Sequence, residues 1–277
     1  MKGYRSNLMS QETQNHHQSV LSFDGVDDFI LFSQVFDRVT DKISLEFWAN
    51  GANGLADQTG LLRAASSECN RIFSVHLPWT NHIYWDAGNQ TGFDRIHKGT
   101  QEREYKDTWN HWAFVKDSTT GEMFIYRNGE LWQSGTGHQR SLIRVETFTI
   151  GCFWDSYKHW AGLLSEFRIW NIALTPERIQ QNMNTRLTGK EAGLAAYWPL
   201  NEGGGTVAKD KTGNGYDGTI NGAVWQTTEL PVKPQARQSL ETSLGTGLQD
   251  YAYWYRWKQS LPQSSDSQSF RRGRIWS

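Results

Sequence analysis

Residues 122–132 have the sequence EMFIYRNGELW, in which apolar and aromatic residues stand on both sides of an Asn-Gly pair. Both central residues of a type I′ turn need a positive φ angle, and Asn followed by Gly adopts it readily. The stretch therefore predicts a β-hairpin with Asn128 and Gly129 at its turn. It also favours antiparallel sheet for the chain around it.

Short runs of similar character surround this hairpin over residues 20–225. In residues 43–49 the apolar side chains alternate with Ser44, Glu46 and Trp48, which predicts a half-buried strand. Strands that recur about every 8 to 12 residues, with turn residues between them, indicate an all-β fold. The prediction is a two-sheet antiparallel jelly-roll sandwich with one short helix and irregular N- and C-terminal extensions.

One helical pattern interrupts the strands. Thr175, Pro176 and Glu177 supply an N-cap, a proline at the first helical position and an acid in the first turn. Apolar residues then recur every four positions from Ile179 to Leu187. The spacing predicts a short helix that covers one end of the sheets.

The composition limits the function classes. The 277 residues carry 28 Lys and Arg against 29 Asp and Glu, so no chain-wide charge favours nucleic acid, which we do not expect as a partner. No stretch approaches the roughly 18 apolar residues of a transmembrane helix, and residues 1–19 lack the apolar segment of a signal peptide. Cys69 and Cys152 have neither zinc-site spacing nor the number of a disulfide framework. We expect a cytoplasmic protein, or one released as part of an assembly.

The composition also divides the chain into three segments. A polar arm occupies residues 1–19, the jelly roll residues 20–228, and an extension rich in Ser and Gln residues 229–277. The extension contains alternating aromatic residues that would share one face of an extended strand. We predict that they dock on a protein partner, ahead of packing on their own chain or stacking on single-stranded nucleic acid. These residues are Tyr251, Tyr253, Tyr255 and Trp257.

Six segments of the chain occur in an order that resembles a known family. They are LSFDGVDDF at 21–29, WNHWAFV at 109–115, IYRNGEL at 125–131, GLLSEFRIWN at 162–171, GLAAYWPLNEG at 193–203 and GNGYDG at 213–218. Together they resemble the laminin-G/pentraxin-like branch of the concanavalin A-like lectin/glucanase superfamily, in its bacterial form. The resemblance implies a jelly roll that binds sugars or proteins, sometimes with calcium, and that is usually extracellular. Ser165 and Glu166 stand where family members commonly have Asp-Glu.

The sequence predicts no catalytic site. Glycosidases need two carboxylates about 5 to 9.5 Å apart around one sugar. Glu166 has no acidic neighbour on its predicted strand, and Glu102 and Glu104 lie in a charged stretch typical of a solvated loop. We therefore predict a non-catalytic, lectin-like binding module with carbohydrate as the leading ligand. The alternative is a structural or attachment subunit of a larger multi-protein assembly, such as a phage-tail-like particle.

Ligand contact is predicted at aromatic residues in or beside polar turns, because a flat ring can pack on a sugar or anchor a protein interface. Rigid packing of those loops is the alternative. Tryptophans within strand patterns are assigned to the core: Trp48, Trp112, Trp160, Trp170 and Trp198. The predicted ligand-binding residues are Trp79, Trp85, Asp86, Trp154, Asp155 and Tyr157.

Calcium is the candidate cofactor. It prefers about six to eight oxygen ligands, often on a Gly-rich turn, and residues 210–218 offer Asp210, Asn214 and Asp217. A loop of Asx-turns that needs no ion is the alternative. The acidic residues of 24–28 rank lower as a metal site, because a tight turn explains them equally well.

Overall fold

The computed structural model describes residues 17–33, 36–153 and 158–232. Within these ranges the chain forms sixteen strands, one α-helix, α1 (Pro176–Met183), and a 3-10 helix at Glu102–Glu104. In chain order the strands are β1 (His17–Asp24), β2 (Phe29–Phe32), β3 (Lys42–Gly51), β4 (Gln58–Ala65), β5 (Arg71–Trp79), β6 (His82–Asn89), β7 (Gly92–Gly99), β8 (Asn110–Asp117), β9 (Glu122–Arg127), β10 (Glu130–Gly135), β11 (Thr147–Ile150), β12 (Ala161–Trp170), β13 (Leu194–Trp198), β14 (Val207–Ala208), β15 (Gly218–Asn221) and β16 (Val224–Glu229).

The described strands form two antiparallel sheets of eight. In the first sheet the order is β10-β9-β8-β3-β12-β1-β16, with β13 paired to β12, and in the second it is β14-β15-β2-β11-β4-β5-β6-β7. Neighbours in the sheets are often distant in sequence, as β3 is from β12, which is the connectivity of a jelly roll. The all-β sandwich predicted from the sequence is confirmed.

The hairpin predicted at residues 122–132 is present. Arg127 pairs with Glu130 across the turn, and Asn128 and Gly129 have φ angles of 53° and 79°. Two consecutive positive φ angles are what a type I′ turn requires. The Asn-Gly signal in the sequence therefore identifies both the turn and its type.

The main core lies between the two sheets. Alternate side chains of β3 enter it, and the Phe47 ring stacks on the Phe167 ring with centroids 5.1 Å apart. The five tryptophans assigned to packing are all buried, as predicted: Trp48, Trp112, Trp160, Trp170 and Trp198.

Helix α1 begins as the sequence predicts. The Thr175 hydroxyl accepts a hydrogen bond from the backbone N–H of Arg178 at 3.3 Å, and Ile179 is buried. The predicted position is wrong, however, because α1 packs on the outer face of the first sheet and not on its end. Ile179 belongs there to a second apolar cluster that contains Val115 and Trp170. The helix and its flanking loops therefore cover the outer face of β3. Both faces of this strand are buried, whereas the alternation in the sequence predicted one buried face.

The predicted partner-docking residues lie outside the described residues: Tyr251, Tyr253, Tyr255 and Trp257. Docking through the extension therefore stays a prediction. In the part of the chain that the structure describes, no helix has the length and apolar character needed to cross a membrane.

Candidate functional site

Four adjacent strands of the second sheet, β4 to β7, present a polar and aromatic outer face. Cross-strand pairing sets Ser74 beside Asp86 and Asp86 beside Arg95. Because successive residues of a strand point to opposite faces, the neighbouring Trp85 faces the core and is fully buried. Side chains two positions further along these strands share the outer face: His76, Tyr84 and His97.

Asp86 lies at the centre of this face and is fully buried. Arg95 donates to it twice, from Nε to Oδ1 at 2.6 Å and from Nη2 to Oδ2 at 2.7 Å. Nη1 of Arg71 donates a further hydrogen bond to Oδ2. A buried carboxylate is tolerated only when such partners replace its water. Asp86 therefore fixes the position of two arginines and is itself out of reach of a ligand.

Aromatic rings also pack against the guanidinium groups of the same two arginines. The guanidinium carbon of Arg71 lies 4.5 Å from the ring centre of Phe93 and 4.8 Å from that of Phe153. Arg95 lies 4.7 Å from the ring centre of Tyr84 and 5.0 Å from that of Phe93. Cation–π contacts of this kind orient the guanidinium plane. The arginine side chains are therefore set in position before any ligand binds.

His76 is buried among these rings. Its ring centre lies 4.9 Å from that of Trp79 and 4.8 Å from that of Phe153. Burial lowers the pKa of His76 to about 4, with the charge of Arg71 adding to the decrease and that of Asp86 opposing it. The imidazole is therefore neutral at pH 7, and the positive charge of the site comes from arginine.

Two adjoining cavities open on this face. The larger has a volume of about 390 Å³ and the smaller of about 280 Å³. Both are near the roughly 300 to 1,000 Å³ of small-molecule sites. They share Arg71 and Phe153, so one elongated molecule can occupy both. The larger cavity is lined by Arg71, His76, Trp79, Thr80, Tyr84, Arg95 and Phe153. The smaller cavity is lined by Arg63, Cys69, Asn70, Arg71, Asn89, Gln90, Gly92, Phe93 and Phe153.

Phe153 separates the two cavities, and a glycine makes its position possible. A Cβ atom added to Gly60 of β4 would lie 2.3 Å from the Cβ atom of Phe153. Only a residue without a side chain lets the segment that carries Phe153 lie directly on this strand. Gly60 is therefore a structural requirement of the cleft.

The predicted ligand-binding residues lie in different parts of the structure. Trp79 is partly exposed and lines the larger cavity, whereas Asp86 lies beneath it as the anchor of the arginines. Trp85 lies in the core, where its Nε1 donates to the backbone oxygen of Val115 at 3.2 Å. A ring in that position packs against the opposite sheet and has no face open to a ligand. Trp154, Asp155 and Tyr157 lie outside the described residues.

Sequence reasoning missed six of the seven residues that line the larger cavity. Three of them, His76, Tyr84 and Arg95, alternate with core residues in β5, β6 and β7, and the polar or aromatic residue at every second position was the available signal. The missed residues are Arg71, His76, Thr80, Tyr84, Arg95 and Phe153.

Among the described residues, the first turn of the sandwich contains a group of acids that could hold a metal ion. Carboxylate oxygens of Asp24, Asp27 and Asp28 all lie within 4.8 Å of one another. Burial raises the pKa of Asp28, and the negative charges of Asp24 and Asp27 raise it further. A cation would relieve this repulsion.

The predicted calcium ligands in residues 210–218 are engaged by the protein itself. Both carboxylate oxygens of Asp210 accept the Thr212 hydroxyl, at 2.8 and 2.7 Å. Asp217 accepts from Lys209 at 2.7 Å, and the Asn214 amide donates to the backbone oxygen of Ala195 at 2.9 Å. This is the hydrogen bonding expected of the Asx-turn alternative. A calcium ion at Asp210, Asn214 and Asp217 stays a prediction.

A pair of glutamates lies beneath α1, on the outer face of the first sheet. Glu46 and Glu166 are 0% and 1% exposed. Arg168 donates to Glu166 at 2.9 Å and has a nitrogen 4.0 Å from Glu46. Burial raises the pKa of Glu46 to about 7. Two carboxylates covered in this way do not meet a saccharide from solution, so the geometry suits packing and not hydrolysis.

Comparison with solved structures found one match with a TM-score above 0.5 among those described here, and that match supports the fold. A Bacteroides ovatus ATCC 8483 protein to which carbohydrate binding has been attributed is 22% identical, with a TM-score of 0.57; the match covers 78% of this chain and 62% of that protein. The chain thus spans less than two thirds of that protein. The heptameric SAP-like pentraxin of Limulus polyphemus is 16% identical, with a TM-score of 0.47, over 59% of this chain and 80% of the pentraxin.

Family membership follows from the sequence match. No curated protein matches the chain significantly. The family model for laminin G domains matches residues 24–180, which is more than half of the chain and runs from the end of β1 into α1. The matched region includes β4 to β7 and the segment that carries Phe153, and so contains the cleft. The chain belongs to the concanavalin A-like lectin/glucanases superfamily.

Proposed function

We propose that the protein is a non-catalytic carbohydrate-binding module whose site is the cleft on β4 to β7. The observation that carries this proposal is the larger cavity, in which the rings of Trp79 and Tyr84 stand beside Arg71 and Arg95. Sugar sites combine aromatic faces, on which the C–H groups of the ring pack, with a few fixed hydrogen-bond donors. This cavity offers both, and its arginines are already held by Asp86.

The chemistry of the cleft supports binding over hydrolysis. Among the described residues, no aspartate or glutamate lines either cavity. A glycosidase of the usual kind needs an acid and a base or nucleophile, both carboxylates, on the same sugar. The carboxylates of Glu46 and Glu166 are covered by α1 and lie on the other sheet.

A calcium ion is proposed at Asp24, Asp27 and Asp28. Three carboxylates close together supply hard oxygen ligands, which calcium prefers. Asp28 also contacts the chain a few residues after Phe153, because a His159 ring nitrogen lies 3.2 Å from the backbone oxygen of Asp28. Calcium would therefore stabilise the position of His159, six residues after Phe153, and sugar binding is expected to weaken in EDTA.

The binding proposal is tested with a glycan array followed by calorimetry on the hits. The full chain is compared with Trp79→Ala, which removes one aromatic wall, and with Trp225→Ala as a matched control. Trp225 is partly buried on β16, in the first sheet, and lines neither cavity. Binding that is lost in Trp79→Ala and kept in Trp225→Ala supports the proposal. No binding to any glycan, with or without calcium, overturns it.

A further inference from the structure

The cleft concentrates positive charge in a protein that is otherwise balanced. Formal charges over the whole chain sum to −1. Arg63, Arg71 and Arg95 line the two cavities, and within the described chain the carboxylate of Asp86 pairs with Arg71 and Arg95. At the rim, the exposed Glu68 accepts a hydrogen bond from Asn70 at 3.2 Å but lines neither cavity. Among the described residues, Arg71 and Arg95 share the single negative charge of Asp86, so these three groups together leave the face electropositive.

The arginines are close enough to repel one another where water is scarce. Burial lowers the pKa of Arg63, and the charge of Arg71 lowers it further. Burial also lowers the pKa of Arg71, although the charge of Asp86 opposes the decrease. An anion bound beside Arg71 weakens the repulsion between the arginines, and a neutral sugar does not.

The geometry of Arg71 suits an anionic group. Its plane is held between Phe93 and Phe153, and its Nη1 is directed at Asp86. A guanidinium has five N–H donors in a fixed fork that matches carboxylate or sulfate oxygens. Within the described chain, the hydrogen bond to Asp86 uses one of these nitrogens. The amide side chain of Gln90, which is exposed on the smaller cavity, adds donors at its rim.

We propose that the saccharide carries a carboxylate or sulfate group, which binds in the smaller cavity at Arg71 while a neighbouring sugar ring packs in the larger cavity. The inference rests on the proposed function and adds the class of ligand to it. The assignment of the anionic group to the smaller cavity follows from the division of the cleft at Phe153. The larger cavity has four rings in its wall, and its second arginine, Arg95, already donates twice to Asp86. The smaller cavity instead has three amide side chains beside Arg71: Asn70, Asn89 and Gln90.

Matched pairs of probes that differ in charge alone test this proposal. Polygalacturonate is compared with its methyl ester for the carboxylate, and chondroitin sulfate with chemically desulfated chondroitin for the sulfate. We expect at least one charged member to bind about tenfold more tightly than its neutral partner, from one charge-assisted contact. That advantage should shrink as salt rises from 0.05 to about 0.5 M, because salt screens the attraction.

Variants separate the arginine contact from the fold. Arg71→Gln should lose most of the preference for the charged probe, and Arg103→Gln, which removes the same charge from the exposed 3-10 helix, should keep it. If Arg71→Gln does not fold, the exposed Gln90 gives the same answer. Gln90→Glu should weaken charged-probe binding about two- to fivefold, and Gln90→Lys should strengthen it.

The outcomes distinguish the two proposals. Equal binding of the charged and neutral members of both pairs overturns the anionic ligand and leaves carbohydrate binding in place. A preference for the charged probe that Arg71→Gln and Gln90→Glu both leave unchanged also overturns the assignment to the smaller cavity. Failure of every probe, together with an empty glycan array, overturns the proposed function itself.

Discussion

Arg95 donates two parallel hydrogen bonds to Asp86, from Nε to Oδ1 at 2.6 Å and from Nη2 to Oδ2 at 2.7 Å. The carboxylate is fully buried, whereas the Arg95 side chain is 38% exposed. This ion pair therefore connects a buried carboxylate beneath the cleft to an arginine at the surface of the cleft. It makes the positions of the arginines a property of the folded strands and not of the ligand.

Asp86→Asn should lower the free energy of unfolding by about 3 kcal/mol, the lower end of the range for breaking a buried ion pair. The partial exposure of Arg95 lets water replace some of the lost contact, which keeps the loss at that end. Chemical denaturation measures it. The matched control is Glu102→Gln, which removes a carboxylate that is 70% exposed and paired with Lys106, and should cost below about 0.5 kcal/mol. Equal effects of the two changes would contradict the anchoring role of Asp86.

Local signals were enough to predict the fold. The Asn-Gly turn and the helix cap at Thr175 depend on residues adjacent in the sequence, so both appear in the structure where the pattern put them. The outer face of β3 was beyond those signals. Glu46 looked like part of the polar side of a strand, but α1 covers it from more than 120 residues away. Burial by a distant element leaves no periodic trace in the strand that it covers.

Only part of the cleft could be predicted from the sequence, because the register of β6 is ambiguous. Tyr84 and Trp85 are adjacent aromatic residues, and alternation alone does not say which of them faces the core. The pairing of Trp85 with Val75 and Ile96, both core residues, settles it. Tyr84 therefore lines the cleft and Trp85 packs inside. Long-range pairing of three strands, which no single segment encodes, decides the site.

The turn of the β9–β10 hairpin gives a second prediction. Gly129→Ala should lower stability by about 1 to 2 kcal/mol, because alanine is strained at a φ of 79°. The added Cβ would also lie 2.9 Å from Cγ of Gln180 in α1, a flexible side chain that can move. Gly54→Ala is the control, since a Cβ there meets no atom within 4 Å. A loss in Gly129→Ala no larger than that in Gly54→Ala would argue against the strained turn.

Glu46 predicts an unusual dependence of stability on pH. Its pKa is about 7 in the folded protein against 4.5 for an ordinary glutamate, so the native state holds the proton more tightly than the unfolded state. The stability that this group contributes is complete below about pH 4.5 and is lost as the pH rises to about 7. At 1.36 kcal/mol per pKa unit the loss is about 3 kcal/mol.

The variant Glu46→Gln isolates this effect. Two buried histidines change the stability in the opposite direction with pH. The pKa of His76 is about 4 and that of His111 is lowered by burial, so both histidines decrease the stability as the pH falls below 6.5. The contribution of His76, which lies on the other sheet, cancels when the variant is compared with the parent protein at each pH. His111 contacts Glu46, with its Nε2 3.7 Å from Oε1, but burial keeps its pKa low, so it stays neutral between pH 4.5 and 7 in both proteins. We expect Glu46→Gln to gain stability relative to the parent between pH 4.5 and 7. A difference that is constant with pH would mean that Glu46 does not titrate in this range.

Calcium gives the last prediction, and Asp27 and Asp217 distinguish its two candidate sites. A ligand that binds only the native state at about a hundredfold over its Kd adds about 2.7 kcal/mol of stability, so calcium should raise the melting temperature relative to EDTA. Asp27 is exposed, and Asp27→Asn should abolish the rise in melting temperature that calcium causes. In EDTA the same variant should melt at a slightly higher temperature than the parent, because it lacks a charge that repels Asp28. Asp217→Asn should keep the calcium effect, because the carboxylate of Asp217 is already paired with Lys209 at 2.7 Å. Loss of the rise in Asp217→Asn alone would move the ion to residues 210–218, and the same melting temperature in calcium and EDTA would exclude both sites.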